Sequence, residues 1–211
     1  KFVGRENSVY AWTLSNLGLL YFDMDKIEKA EMFLTEALSI RKLVLGNQHI
    51  EYAKNLDNLG RLYCDLGNFD KSESLSLEAK SILEKVIGKD HIDYVRCLTN
   101  LGLLYSDMNN YDLAEKYYLE AKFILEKTVE KNNPKYISIL NDLANLYMDI
   151  GVYEKAEPLY LNAQSIQNEI FGKENRAYTR ILNDLAIFYR VIGNYEKAEY
   201  LYLEAISINE K

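Results

Sequence analysis

The chain has 211 residues, 48% apolar and 27% charged, with a net charge of −7. That apolar share supplies a buried core and excludes a disordered chain, and the acidic balance argues against a nucleic-acid partner, because phosphates reward basic faces. No apolar run approaches the roughly 20 residues that span a bilayer, and there is no signal-peptide pattern, so the expectation is a cytoplasmic protein with no membrane partner.

A stride of 42 residues organises the whole chain. It carries Tyr10, Tyr52, Tyr94, Tyr136 and Tyr178, then Leu17, Leu59, Leu101, Leu143 and Leu185. Tyr21, Tyr63, Tyr105, Tyr147 and Tyr189 keep the same step, as do Ala37, Ala79, Ala121, Ala163 and Ala205. A fixed period of this length predicts stacked identical units rather than one globular core. The units are read as 1–46, 47–88, 89–130, 131–172 and 173–211, one continuous solenoid. The chain opens with Lys1 rather than Met, which reads as a piece of something longer.

In chain order, the first unit places Trp12, Asn16 and Gly18 on a first helix and Ala30 on a second, near 27–44, ending at Gly46. In the second unit His49 caps a helix near 50–65, Gly67 makes a turn, and a helix near 69–86 ends at Gly88. The third unit begins at His91. Its helix near 92–107 spaces Tyr94, Leu98, Leu101 and Tyr105 along one face, Asn109 and Asn110 turn the chain, and a helix near 111–128 follows. In the fourth, Asn133 and Pro134 read as an N-cap and a proline at the first helical position. Helices near 134–149 and 153–170 flank Gly151, and Gly172 ends the second. In the fifth, Asn175 caps a helix near 176–191, and Gly193 precedes a last helix near 195–210. Each unit is therefore an antiparallel pair, A then B. Small residues mark the close approach of A and B: Gly18, Gly60, Gly102, Ala144 and Ala186 on A, with Ala30, Ser72, Ala114, Ala156 and Ala198 on B.

No catalytic set stands out, and no enzyme activity, cofactor or metal is expected. His49 and His91 hold equivalent linker positions without a ligand cluster. No glycine-rich phosphate loop is present. Cys64 and Cys97 match no metal or redox spacing and read as free thiols on helix faces. Of 18 tyrosines, sixteen fall on four repeat columns, which makes them packing residues; Tyr117 and Tyr200 lie off them.

The pattern L-x-x-L-G-x-L-Y, then G-x-Y, A-E and A-x-x-I resembles the tetratricopeptide repeat. The strings LDNLGRLYCDLGNFDKSE, LTNLGLLYSDMNNYDLAE and LNDLANLYMDIGVYEKAE are similar to the 42-residue subtype of kinesin light chains, whose long repeats also accompany bacterial regulatory and caspase-like CHAT-type protease proteins. The resemblance implies an all-α fold, a right-handed superhelix of five helix-turn-helix repeats. It also implies a non-catalytic scaffold holding a peptide or protein in a groove lined by the A helices. The alternative is a regulatory arm of a larger enzyme, a protease or signalling ATPase, whose catalytic domain lies outside this chain.

In the resembling proteins the residue before the core leucine of helix A faces that groove. Here this column is Asn16, Asn58, Asn100, Asp142 and Asp184, with Asn141 beside it, and an amide offers both donor and acceptor to an extended backbone. One turn earlier stand Trp12, Lys54, Arg96, Ser138 and Arg180. Lys54 with Asn58 and Arg96 with Asn100 would meet an acidic peptide, or they are solvated polar residues. Trp12 is either a ligand anchor or a cover for an exposed end. Asp23, Asp65, Asp107 and Asp149 form a carboxylate ladder at the A-helix C-termini, where acids are unfavourable. They are expected to bond to the following turn or to lysines such as Lys26 and Lys71, or else to make the groove acidic. The last helix carries Leu201, Leu203, Ile206 and Ile208, so its face would receive further repeats or a second copy.

Overall fold

The computed structural model describes residues 7–128 and 133–210, all helices and turns with no strand among them. The A helices are α1 (Ser8–Asp23), α3 (Ile50–Asp65), α5 (Ile92–Asp107), α7 (Pro134–Asp149) and α9 (Arg176–Val191). The B helices are α2 (Ile27–Leu45), α4 (Phe69–Ile87), α6 (Tyr111–Thr128), α8 (Tyr153–Phe171) and α10 (Tyr195–Asn209). The expected helix ends hold to within a residue, and the expected repeat boundary at 130/131 lies outside the described residues. The chain divides into two compact units between Tyr117 and Tyr118. In the first, α1 packs on α2, α3 on α4, and α2 and α4 each reach the next A helix; in the second, α7 packs on α8, α8 on α9 and α9 on α10.

Local chemistry sets the helix boundaries. The side chains of Asn7, His49, His91, Asn133 and Asn175 cap the A helices by accepting a backbone N–H of the first turn. At His49 and His91 the acceptor is ring Nδ1, 3.1 Å from the N–H of Glu51 and Asp93. Each A helix ends in the same turn. The N–H of Lys26, Asn68, Asn110, Val152 and Asn194 reaches back to the carbonyl of Tyr21, Tyr63, Tyr105, Tyr147 and Tyr189 at 2.8–2.9 Å, a Schellman closure. The residue before each of these donors is left-handed: Gly67, Gly151 and Gly193, but also Asp25 at φ 56° and Asn109 at φ 58°. Asp25 is the member of this column that the sequence reading passed over.

The close-approach positions are as tight as expected. A Cβ at Gly18 would stand 2.8 Å from Leu34 Cγ, and Ser72 Oγ donates to the Gly60 carbonyl at 2.7 Å. Tyr105 is buried against Tyr117, rings stacked at 5.5 Å. Its hydroxyl donates to Glu73 at 2.6 Å. Tyr63 with Glu31 and Tyr189 with Glu157 repeat that bond. The A-E signature of the B helices thus supplies the carboxylate that receives the next A-helix tyrosine.

Candidate functional site

The A-helix row divides into side chains committed to the chain and side chains that are not. Lys54 pairs with Glu51 at 3.0 Å. Arg96 Nε stands 3.2 Å from Asp57 Oδ2, and Asn100 Nδ2 donates to Asp57 Oδ1 at 3.0 Å. Asp57 is fully buried. The sequence reading missed it; the available signal was an acid, one place before the row, where other repeats carry Ser15, Thr99, Asn141 and Asn183. Burial pushes the Asp57 carboxyl above the usual carboxylate range, with Arg96 and Asn100 pulling it back. The ion pair is not an aligned hydrogen bond: Asp57 Oδ2 and Arg96 Nε and Nη2 have no hydrogen-bond partner.

In the second unit the corresponding bond runs between Asn141 Nδ2 and Asp184 Oδ2 at 2.6 Å. Asn141 is buried, and its Oδ1 has no hydrogen-bond partner. A carboxylate only accepts, so the amide nitrogen must face Asp184 and the oxygen must face away. Asn141, Asp142, Ser138 and Arg180 line a cleft of about 150 Å³ between α7 and α9, with Gln167 of α8 at its side. Trp12, Asn16 and Arg180 are exposed, Asn58 is half-buried, and none of the four has a partner among the described residues.

Two rungs of the carboxylate ladder are held otherwise than expected. Asp65 takes Arg61 at 2.9 Å, and Asp107 accepts from Cys64 Sγ at 3.3 Å. Lys71 lies 3.8 Å from the centre of the Tyr63 ring and 3.7 Å from Glu31. Burial pushes the Cys64 thiol up to about 12 and Cys97 well above its ordinary value, so both buried sulfurs stay protonated and poor as nucleophiles. Among the described residues no three His, Cys, Asp or Glu side chains gather as a metal site, and no helix is long and apolar enough to cross a membrane.

The tetratricopeptide repeat model matches residues 9–75, 55–127 and 136–211. The chain belongs to the tetratricopeptide repeat family. That places it among repeats that serve in general as non-catalytic protein-interaction scaffolds. No curated protein matches this tetratricopeptide chain. Among solved structures it is similar to a kinesin light chain with nearly identical TPR-like repeats from Podosopora anserina, at 19% identity and TM-score 0.79, covering 98% of this chain and 96% of that one. It is also similar to BtubC (BKLC) from P. vanneervenii, at 20% identity and TM-score 0.81, covering 96% and 81%. A Rap protein complexed with competence and sporulation factor follows at 15% identity and TM-score 0.68, covering 96% and 64%. At these identities the likeness is one of fold.

Two larger grooves lie between successive B helices of the second unit, about 650 Å³ over α9 and about 540 Å³ over α7. They are one groove repeated, since Leu161, Tyr178, Tyr189 and Leu201 of the first correspond to Leu119, Tyr136, Tyr147 and Leu159 of the second. Six of the polar groups of the larger one bond in pairs: Lys173 to Glu204 at 3.1 Å, Gln164 to Tyr178 at 3.5 Å and Lys197 to Tyr189 at 3.3 Å. The smaller A-helix cleft is the one with a buried acceptor lacking a partner, so size and chemistry point to different places, and a buried unmet acceptor is the stronger mark of a ligand.

Proposed function

We propose that this chain is a non-catalytic scaffold that holds a peptide or protein along the groove lined by its A helices. The observation that supports it best is the set of unpartnered side chains on that row. Trp12, 58% exposed, and Asn16, Asn58 and Arg180 bond to nothing described in the chain, while Tyr52, Leu56, Leu59 and Tyr63 of the same helix as Asn58 are buried in packing. A surface that needed only solubility would gain nothing from an exposed indole; one that grips peptide uses aromatic anchors beside amides. The kinesin light chain and Rap likenesses support the same kind of use without naming a ligand for this chain.

The test is a capped peptide library titrated against the intact chain, read by the fluorescence of its single tryptophan and by amide NMR shifts. Binding that Asn16→Ala with Asn58→Ala weakens, with the melting curve held, supports the reading. Peptide shifts confined to the B helices sink it. Asn100 is unsuitable for this test, because its loss would strip a buried bond from Asp57. A cytoplasmic location and self-association through α10 belong to the same proposal. Leu203, Tyr200 and Ile206 on α10 are exposed, and light scattering across a concentration series tests whether copies pair there.

A further inference from the structure

Three side chains recur two repeats apart with their identities permuted. Asp57, Arg96 and Asn100 in the first unit stand where Asn141, Arg180 and Asp184 stand in the second. In the first set the buried acid sits under the arginine, and the two charges meet. In the second the acid and the amide have changed places. The amide–carboxylate bond survives, 3.0 Å in one and 2.6 Å in the other. The arginine does not keep its partner: Arg180 is exposed with no described ion pair, and the position of the missing carboxylate is held by an amide whose buried oxygen meets nothing. The first set closes its charge pair on itself, without an aligned hydrogen bond, and the second is open to a cleft of about 150 Å³. That volume suits one side chain, since drug-sized ligands take about 300–1,000 Å³.

We propose that the cleft between α7 and α9 is a subsite for one acidic side chain of an extended peptide. The ligand carboxylate pairs with Arg180, as Asp57 pairs with Arg96, and a ligand N–H donates to Asn141 Oδ1. This rests on the peptide-scaffold reading and adds a charge preference and a position. Two observations meet here independently: a cation without a counter-ion, and a buried acceptor without a donor. An acidic residue in a peptide brings both complements on one residue, a carboxylate and its own backbone N–H. The acid that also lines the cleft, Asp142, already has an interaction within the chain. Ser138 Oγ is spent on the Pro134 carbonyl at 3.2 Å.

The test uses the full chain and three capped probes, Ac-(Gly-Glu)5-NH2 and its Gln and Lys counterparts, followed by calorimetry and by the side-chain amide resonance of Asn141. The Glu peptide should bind best, move that resonance and weaken as salt is raised. Arg180→Gln should cost it roughly tenfold or more, the scale of one charge-assisted contact. The double exchange Asn141→Asp with Asp184→Asn rebuilds the closed set. It should remove the Glu preference and leave the chain folded, with Arg180 now holding an internal acid. Arg180 is on the surface, so its replacement keeps the experiment readable even if the double exchange unfolds. A preference for the Lys peptide overturns the subsite, as does Glu binding indifferent to Arg180→Gln. Binding of none of the three also overturns it, while the library screen decides the scaffold reading separately.

Discussion

Arg41 is 3% exposed, an unusual place for a charge that is never lost. It is tolerable because Nη1 donates to Asn55 Oδ1 at 2.9 Å and to the Glu51 carbonyl at 3.0 Å, and Nη2 meets the Glu51 carboxylate at 3.2 Å. Asn55, fully buried, donates in turn to the Leu34 carbonyl at 2.7 Å and accepts from Ser15 Oγ. Removing one member of such a cluster strands the others. Asn55→Ala should therefore cost about 3–5 kcal/mol, the penalty for leaving a buried charge short of a partner, measured as a fall in the urea midpoint at constant slope. The next two junctions fill the same two positions with apolar residues, Leu83 with Cys97 and Leu125 with Ile139, all buried. The double change Arg41→Leu with Asn55→Ile copies that solution. It should recover most of the loss, because well-packed apolar substitutes for a buried polar cluster are often neutral or better. A double variant as unstable as Asn55→Ala would mean the site cannot collapse around apolar side chains.

At the scale of the element, the B helices α2, α4 and α8 each end on a glycine that no other residue can replace without strain. Gly46, Gly88 and Gly172 have φ of 83°, 78° and 73° with ψ near 180°, a region essentially restricted to glycine. A Cβ at Gly88 would meet nothing within 4 Å, so the penalty for Gly88→Ala is backbone strain alone. It should be about 1–3 kcal/mol, seen as a lower thermal midpoint, while Gly88→Asn should be no better than Ala because Asn favours ψ nearer 45°. This is also where the sequence was most legible. Caps, turns and periodic faces are local signals, so Asn133–Pro134, His49 and Gly172 mark helix ends without knowledge of neighbours. The site was less legible for the opposite reason. Asn100 and Arg96 sit on the expected face, but what they bond depends on Asp57 in another repeat, and that register appears only once the A helices are laid side by side. Lys71, expected to meet the carboxylate ladder, sits instead over the Tyr63 ring and beside Glu31 of the preceding repeat.

Across the molecule, the repeating tie is the tyrosine hydroxyl at the junction of one repeat with the next. Within the units Tyr63, Tyr105 and Tyr189 donate to a glutamate of the preceding B helix, and Tyr136 donates to Glu126 at 2.8 Å. Each bond needs the phenol protonated. Burial first, and the adjacent carboxylate second, push these phenols up, Tyr136 to about 12 and Tyr63, Tyr105 and Tyr189 in the same direction. An unfolded tyrosine ionises near 10. The folded chain therefore holds protons that the unfolded chain releases, so their contribution is intact below about pH 10 and is lost as pH climbs through the folded values. Because repeat stability is close to a sum of neighbour terms, several junctions weaken over the same interval. In an alkaline titration, tyrosinate absorbance near 295 nm should lag the free-phenol curve, with a late component that rises together with the loss of helical circular dichroism. Replacing Tyr63, Tyr105 and Tyr189 by Phe should lower stability at pH 7 by about 1 kcal/mol for each hydrogen bond removed, and should shrink that late component. If the late component stays at full amplitude in the triple variant, the inter-repeat hydroxyls are not what couples ionisation to unfolding.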